Sequence, residues 1–293
     1  MADTIDTRPA DFDQYWAAVD EELAQYPAAP TLERLALPSD EHSTVYAVKL
    51  TSSGPYRIFG YLSVPTAEGK HPGLLYTPSY GSVNHLPHLD DRQRYVTLIL
   101  MHRGQRLADR PFAAAYPGLL TLGIDDPGTY IFRGIVADCL RGAEFLLGRP
   151  EIDTSRIGIV GNDLALITAA RRQGFTAVQA AGLTFHRLMA ARERTDAYPI
   201  EEVNDYLRAY PDRVEAVART LSYFEPAFHA PGIAGTTLFN GGGAGVNAVA
   251  DAVAGPVERY ELTHEGGTDH DWQDAWMARQ LGSVPKPRLW NVA

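Results

Sequence analysis

The chain has 293 residues, 45% of them hydrophobic and 21% charged, with a formal net charge of -10 and an isoelectric point near 5.3. Its 26 lysines and arginines against 36 acids disfavour a broad footprint for nucleic acid or an anionic membrane, because phosphate binding needs clustered cations. A single cysteine, Cys139, excludes an intrachain disulfide and a cysteine metal cluster.

The N-terminus shows no basic segment followed by an apolar run, and nowhere is there an apolar stretch of the roughly 18 residues a membrane span requires. A cytoplasmic protein acting on a small molecule is the expectation. PADFDQYWAAVDEELAQYP places Phe12, Tyr15, Trp16, Val19 and Leu23 on one helical face, with Asp13 or a neighbour as cap. VYAVKLTSS and YRIFGYLSVP alternate on either side of a Ser-Ser-Gly-Pro break and predict an antiparallel hairpin. Residues 1–70 therefore supply a helix and antiparallel strands.

From His71 the texture changes. GLLYTPSYG and YVTLILMHRG predict strands, IVADCLRGAEFLLG a helix, and RIGIVG a strand running into another helix. This alternation is the pattern of an α/β domain with a mostly parallel central sheet and helices on both faces. The charged stretch 188–224 has helical period and predicts a cap insertion over the carboxyl edge of the sheet. TTLFNGGG and VERYELTHEGG predict the last two strands and DWQDAWMARQLG a closing helix, and no repeat or linker divides residues 1–293, so a single domain is expected.

Gly161, Asn162, Asp163, Leu164 and Ala165 follow the strand RIGIVG with the small residues of a G-x-S-x-G elbow, in which a tight turn lifts a nucleophile and the next N–H faces a developing oxyanion. The nucleophile position carries Asp163. Together with PADFDQYW, RIFGYLSVP, PGLLYTPSYG, HRGQ, GIDDPGTYIFRGIVADCLRGAEFL, EIDTSRIGIVGN, LSYFEPAFHA and GGTDHDW, this elbow resembles the acetyl xylan esterase and cephalosporin C deacetylase family of α/β-hydrolases over nearly the whole chain.

The resemblance implies an α/β-hydrolase fold, an acetylated small-molecule substrate, no metal or organic cofactor, and self-association, since family members often form hexamers. It places Tyr80 at an oxyanion-hole tyrosine, with Pro78 and Ser79 replacing the family's His and Gly. It places Leu164 at the second oxyanion donor and His270 at the catalytic histidine. Arg103 in HRGQ is expected to order the pocket wall or hold an acidic substrate, with an internal ion pair as the alternative. The family's acid falls within GGGAGVN, which has no carboxylate; Asp251 is a poor replacement.

The altered elbow admits three readings. In the first, a base formed by Asp163, His270 or the pair removes an acidic C–H and acetate departs, with His270 expected beside Asp163 and raised in pKa by it. This resembles the branch of hydrolase-like proteins that eliminate acetate from O-acetylated acyl tetronates in polyketide pathways. In the second, Asp163 attacks carbon and a histidine-activated water resolves the ester. In the third the protein binds without catalysis, and Asp163 only caps the following helix.

Other signals are weaker. His264 and His270 fit no zinc motif. NGGGAG lacks the Lys-Ser/Thr ending of a phosphate loop and predicts a flexible loop. His85 and His88 suit the pocket mouth as structural residues, and Asp138, Cys139 and Arg141 suit a helix packed on the sheet.

Overall fold

A computed structural model describes residues 7–81, 85–241 and 244–287. Helix α1 (Phe12–Ala24) opens the chain, followed by β1 (Thr31–Leu35), β2 (Ser43–Thr51), β3 (Arg57–Pro65), β4 (His71–Tyr76), α2 (Leu89–Arg92) and β5 (Val96–Met101). Then come α3 (Ile131–Leu147), β6 (Ile152–Gly161), α4 (Asp163–Arg171) and β7 (Ala177–Ala181). Helices α5 (Leu188–Ala191), α6 (Glu201–Ala209), α7 (Val214–Ser222) and α8 (Pro226–His229) precede β8 (Thr236–Asn240), α9 (Ala244–Ala252), β9 (Val257–Tyr260) and α10 (Gly266–Gln280).

The strands form one sheet in the order β1-β2-β3-β5-β4-β6-β7-β8-β9. β1, β2 and β3 are antiparallel additions at one edge, and β5 through β9 run parallel. All six residues of β5, VTLILM, are buried, as a strand covered on both faces requires. Connection from β4 steps to β5 on one side while β6 joins on the other, so the strand order reverses at β4. Open α/β sheets form their crevice at the carboxyl ends of strands around such a switch.

The two larger of three hydrophobic cores flank the sheet. One contains Leu75, Ile157 and Ile159 with α1, α3 and α4; the other contains Leu74 with Trp276, Met277 and Leu281 of the α10 segment. Leu74 and Leu75 point to opposite faces because strand side chains alternate. The apolar spacing of α1 buries Phe12, Trp16, Val19 and Leu23 as expected, and Trp16 Nε1 donates to the Tyr223 carbonyl at 3.1 Å. The cap residue is Asp11, whose side chain accepts the Tyr223 hydroxyl and makes no capping bond.

The hairpin expected before residue 70 is the β2–β3 pair, and the stretch 188–224 carries α5, α6 and α7. Three features depart from expectation. β7, of sequence AVQAA, is a buried central strand with too little apolar bulk to announce itself. The Gly-rich run expected as a loop leads into α9 from Ala244, with Gly242 and Gly243 outside the described residues. The stretch THEGGTDHDW is not a strand end: β9 stops at Tyr260 and α10 begins at Gly266. Among the described residues no helix is long and apolar enough to cross a membrane, and no group of three or more His, Cys, Asp or Glu could hold a metal ion.

Candidate active site

The elbow is built from β6 and α4. Gly161 is required by close approach, because a Cβ there would lie 1.9 Å from Thr77 Oγ1. Asn162 caps α4, its Oδ1 accepting the Leu164 N–H at 3.0 Å. Asp163 is already the first helical residue and is not among the residues with positive φ. It does not stand clear on a strained crest: it is 1% exposed.

Its carboxylate faces inward to the loop after β7. Oδ2 accepts the Thr184 N–H at 2.7 Å and Oδ1 accepts the Phe185 N–H at 3.0 Å. Burial pushes the carboxyl pKa up to about 7, outweighing the lowering by those N–H groups, and the Glu225 charge adds a further rise. The helix-capping role expected of Asp163 falls instead to Asn162.

Asp163 lines a cavity of about 20 Å³ with Ser79, Tyr80, His102, Asn162 and Phe185. That is room for about one water molecule. These residues follow β4, β5, β6 and β7 at their carboxyl ends, around the switch point at β4. Leu120 also lines the cavity. A buried carboxylate of α6 links two of the lining residues: Glu202 Oε2 accepts the Leu120 N–H at 2.9 Å, and Oε1 accepts the Tyr80 hydroxyl. Burial and the neighbouring Glu202 raise the pKa of the Tyr80 phenol.

His102 is 2% exposed, and its Nδ1 lies 2.6 Å from the Arg103 carbonyl. Burial lowers its pKa to about 4, so the imidazole is neutral at pH 7. Sequence reasoning did not single it out, although the residue that follows a fully buried strand on the carboxyl edge is well placed to line a crevice.

Of the expected site residues, Asp163, Tyr80 and Leu164 share this cavity. The Leu164 N–H, expected as an oxyanion donor, is held by Asn162 in this conformation. His270 does not meet Asp163. It lies on α10, over the opposite face of the sheet, and lines a second cavity of about 200 Å³ with Tyr76, His85, His88, Asp91 and Gln273. The residues His270, Gln273, Asp274 and Met277 form one face of α10 there, because a helix began where an extended segment was expected. His264 is exposed in a left-handed conformation (φ 63°), its N–H donated to Asp269.

Arg103 does not line the Asp163 cavity. Its guanidinium grips the fully buried Asp138 carboxylate through Nε at 3.0 Å and Nη2 at 2.8 Å, and Nη2 also donates to Ser53 Oγ at 3.0 Å. Asp251 is exposed and paired with Arg259 at 3.0 Å, so it orients no histidine. Cys139 is buried, and burial raises its thiol pKa well above the ordinary value.

The sequence profile described as acetyl xylan esterase (AXE1) matches residues 3–270. The acetyl esterase Axe7A of Xylanibacter ruminicola is 26% identical over 177 residues, 55% of this chain and 40% of that protein. The aligned region is thus less than half the length of that curated relative. Among solved structures, an acetyl xylan esterase from Paenibacillus sp. R4 superposes with a TM-score of 0.82 at 25% identity, covering 95% of this chain and 96% of the other. Acetyl xylan esterase 1 from a Thermoanaerobacterium species gives a TM-score of 0.79 at 22% identity, covering 94% and 95%.

Proposed function

The chain belongs to the acetyl xylan esterase (AXE1) family, and from that premise we propose that it cleaves acetate from an O-acetylated small molecule by proton transfer at Asp163 rather than through an acyl-enzyme. The observation that carries this reading is the Asp163 carboxyl itself: buried, held near pKa 7, and facing a cavity with room for about one water. A group whose pKa sits near the working pH is well matched to general acid–base catalysis. A carboxylate attacking an acetyl carbonyl would form a labile anhydride with little gain, so direct hydrolysis by a water is the better route.

A second reading is acetate elimination, a carbon–oxygen lyase reaction of the kind expected for an O-acetylated acyl tetronate. The absence of a hydroxyl nucleophile at position 163 favours it, since a base alone suffices to remove a C–H proton while acetate leaves with both its oxygens. Products separate the two. In heavy-oxygen water, hydrolysis of an acetyl ester gives an alcohol and acetate carrying one heavy oxygen. Elimination from a β-acetoxy carbonyl compound gives an alkene and unlabelled acetate. If neither an acetyl ester nor a β-acetoxy carbonyl compound releases acetate, both readings fall.

A further inference from the structure

We propose that His102 is a second catalytic residue of the Asp163 cavity, its Nε2 taking the proton of the attacking water while the Asp163 carboxyl gives its own proton to the departing alkoxide. The inference rests on the reading of this cavity as the acetyl-cleaving centre.

The geometry is that of a fixed base. A carbonyl only accepts, so the 2.6 Å contact between His102 Nδ1 and the Arg103 carbonyl places the ring proton on Nδ1. In the neutral ring Nε2 is then an available lone pair. The ring cannot turn away easily: the His102 N–H donates to Gln105 Oε1 at 3.0 Å, and the Arg103 guanidinium and N–H are both held by Asp138. Gln105 Nε2 in turn donates to the Ser79 carbonyl at 3.0 Å and the Gly81 carbonyl at 2.6 Å. One segment therefore orients both His102 and the loop after β4 that forms the opposite wall.

The step balances. The water O–H bond breaks to His102 Nε2, the water oxygen bonds the acetyl carbon, the acyl C–O bond breaks, and the alkoxide leaves with the Asp163 proton. The imidazolium then returns a proton to the Asp163 carboxylate. The environments support this division. Burial disfavours imidazolium at His102, outweighing the Arg103 carbonyl and the Asp138 charge that favour it, and the Arg103 guanidinium charge opposes it further; burial and Glu225 disfavour the ionised form of Asp163. With values of about 4 and about 7, the carboxyl holds a proton and the imidazole does not over the interval between them.

His102→Asn and His102→Gln test the role on the full chain with a simple acetyl ester. Asparagine keeps a short donor for the Arg103 carbonyl and has nothing at Nε2, whereas a structural histidine would be replaced by it without loss. The expected result for His102→Asn is a kcat lowered about 100-fold or more with KM within about twofold. A kcat within about threefold of the parent overturns the proposal. Nitrogen NMR of histidine-labelled protein gives a readout independent of turnover. The His102 Nε2 resonance should inflect as Asp163 titrates near pH 7 and lose that inflection in Asp163→Asn. A flat resonance in the parent overturns the His102 assignment. An inflecting resonance in a protein that releases no acetate supports the shared cavity and defeats the acetyl-cleaving reading instead.

Discussion

The backbone N–H of Thr184 donates to Asp163 Oδ2 at 2.7 Å, tying the start of α4 to the loop after β7. With the Phe185 N–H on the other oxygen, both carboxylate oxygens of the elbow residue are anchored to that loop.

That arrangement has a pH signature. The folded carboxyl titrates at about 7 and the ordinary value is 3.8, so the folded state binds the proton more tightly than the unfolded chain. Stability falls as pH rises through this interval and levels off above it. Asp163→Asn cannot ionise and escapes the loss. Its stability relative to the parent, measured by urea unfolding, should rise by about 1–3 kcal/mol between pH 5 and pH 8. A difference that does not change with pH would contradict the assignment.

Glu202 of α6 bridges the Tyr80 hydroxyl and the Leu120 N–H. Glu202→Ala leaves both donors without their acceptor and should destabilise the fold by about 2 kcal/mol. Hydrogen exchange at the Leu120 amide should quicken in that variant, and Glu202→Gln, which keeps one acceptor, should lose less. Unchanged exchange at Leu120 would show that the bridge does not hold the Leu120 segment in place.

The Arg103–Asp138 pair is a buried ion pair with the carboxylate fully enclosed. Removing one partner strands the other charge, so Arg103→Ala should cost about 3–5 kcal/mol in denaturant unfolding. Arg103→Lys should recover only part of this, because an ammonium cannot reproduce the two-pronged contact. An Arg103→Ala variant as stable as the parent would refute the structural role.

Gly161→Ala places a methyl against Thr77 Oγ1 and should destabilise by about 1–3 kcal/mol. Removing the obstacle in a Gly161→Ala/Thr77→Ala double variant should return part of that loss, a non-additivity that thermal unfolding can measure. Strictly additive effects would mean the clash is not the cause.

Much of the fold was legible because its signals are local. The period of α1, the alternation of β2 and β3, and the apolar run of β5 each follow from side-chain spacing. β7 was not legible, since AVQAA is a strand by virtue of its neighbours β6 and β8. At the site, Asp163 and Leu164 were found from the elbow pattern and Tyr80 from the family resemblance, and the three share one cavity. His270 was expected with them, but α10 begins before it and carries it over the other face of the sheet. His102 after β5 and Thr184 and Phe185 after β7 share the Asp163 cavity, a proximity that only the sheet order creates.

The central claim is that Asp163 moves a proton and does not form a covalent bond to the acetyl group. A single turnover of a simple acetyl ester in heavy-oxygen water, followed by mass spectrometry of the acetate and of the peptide containing Asp163, tests it most directly. The account predicts one heavy oxygen in the acetate and none in the peptide. Heavy oxygen in the Asp163 peptide would contradict it and make Asp163 the nucleophile.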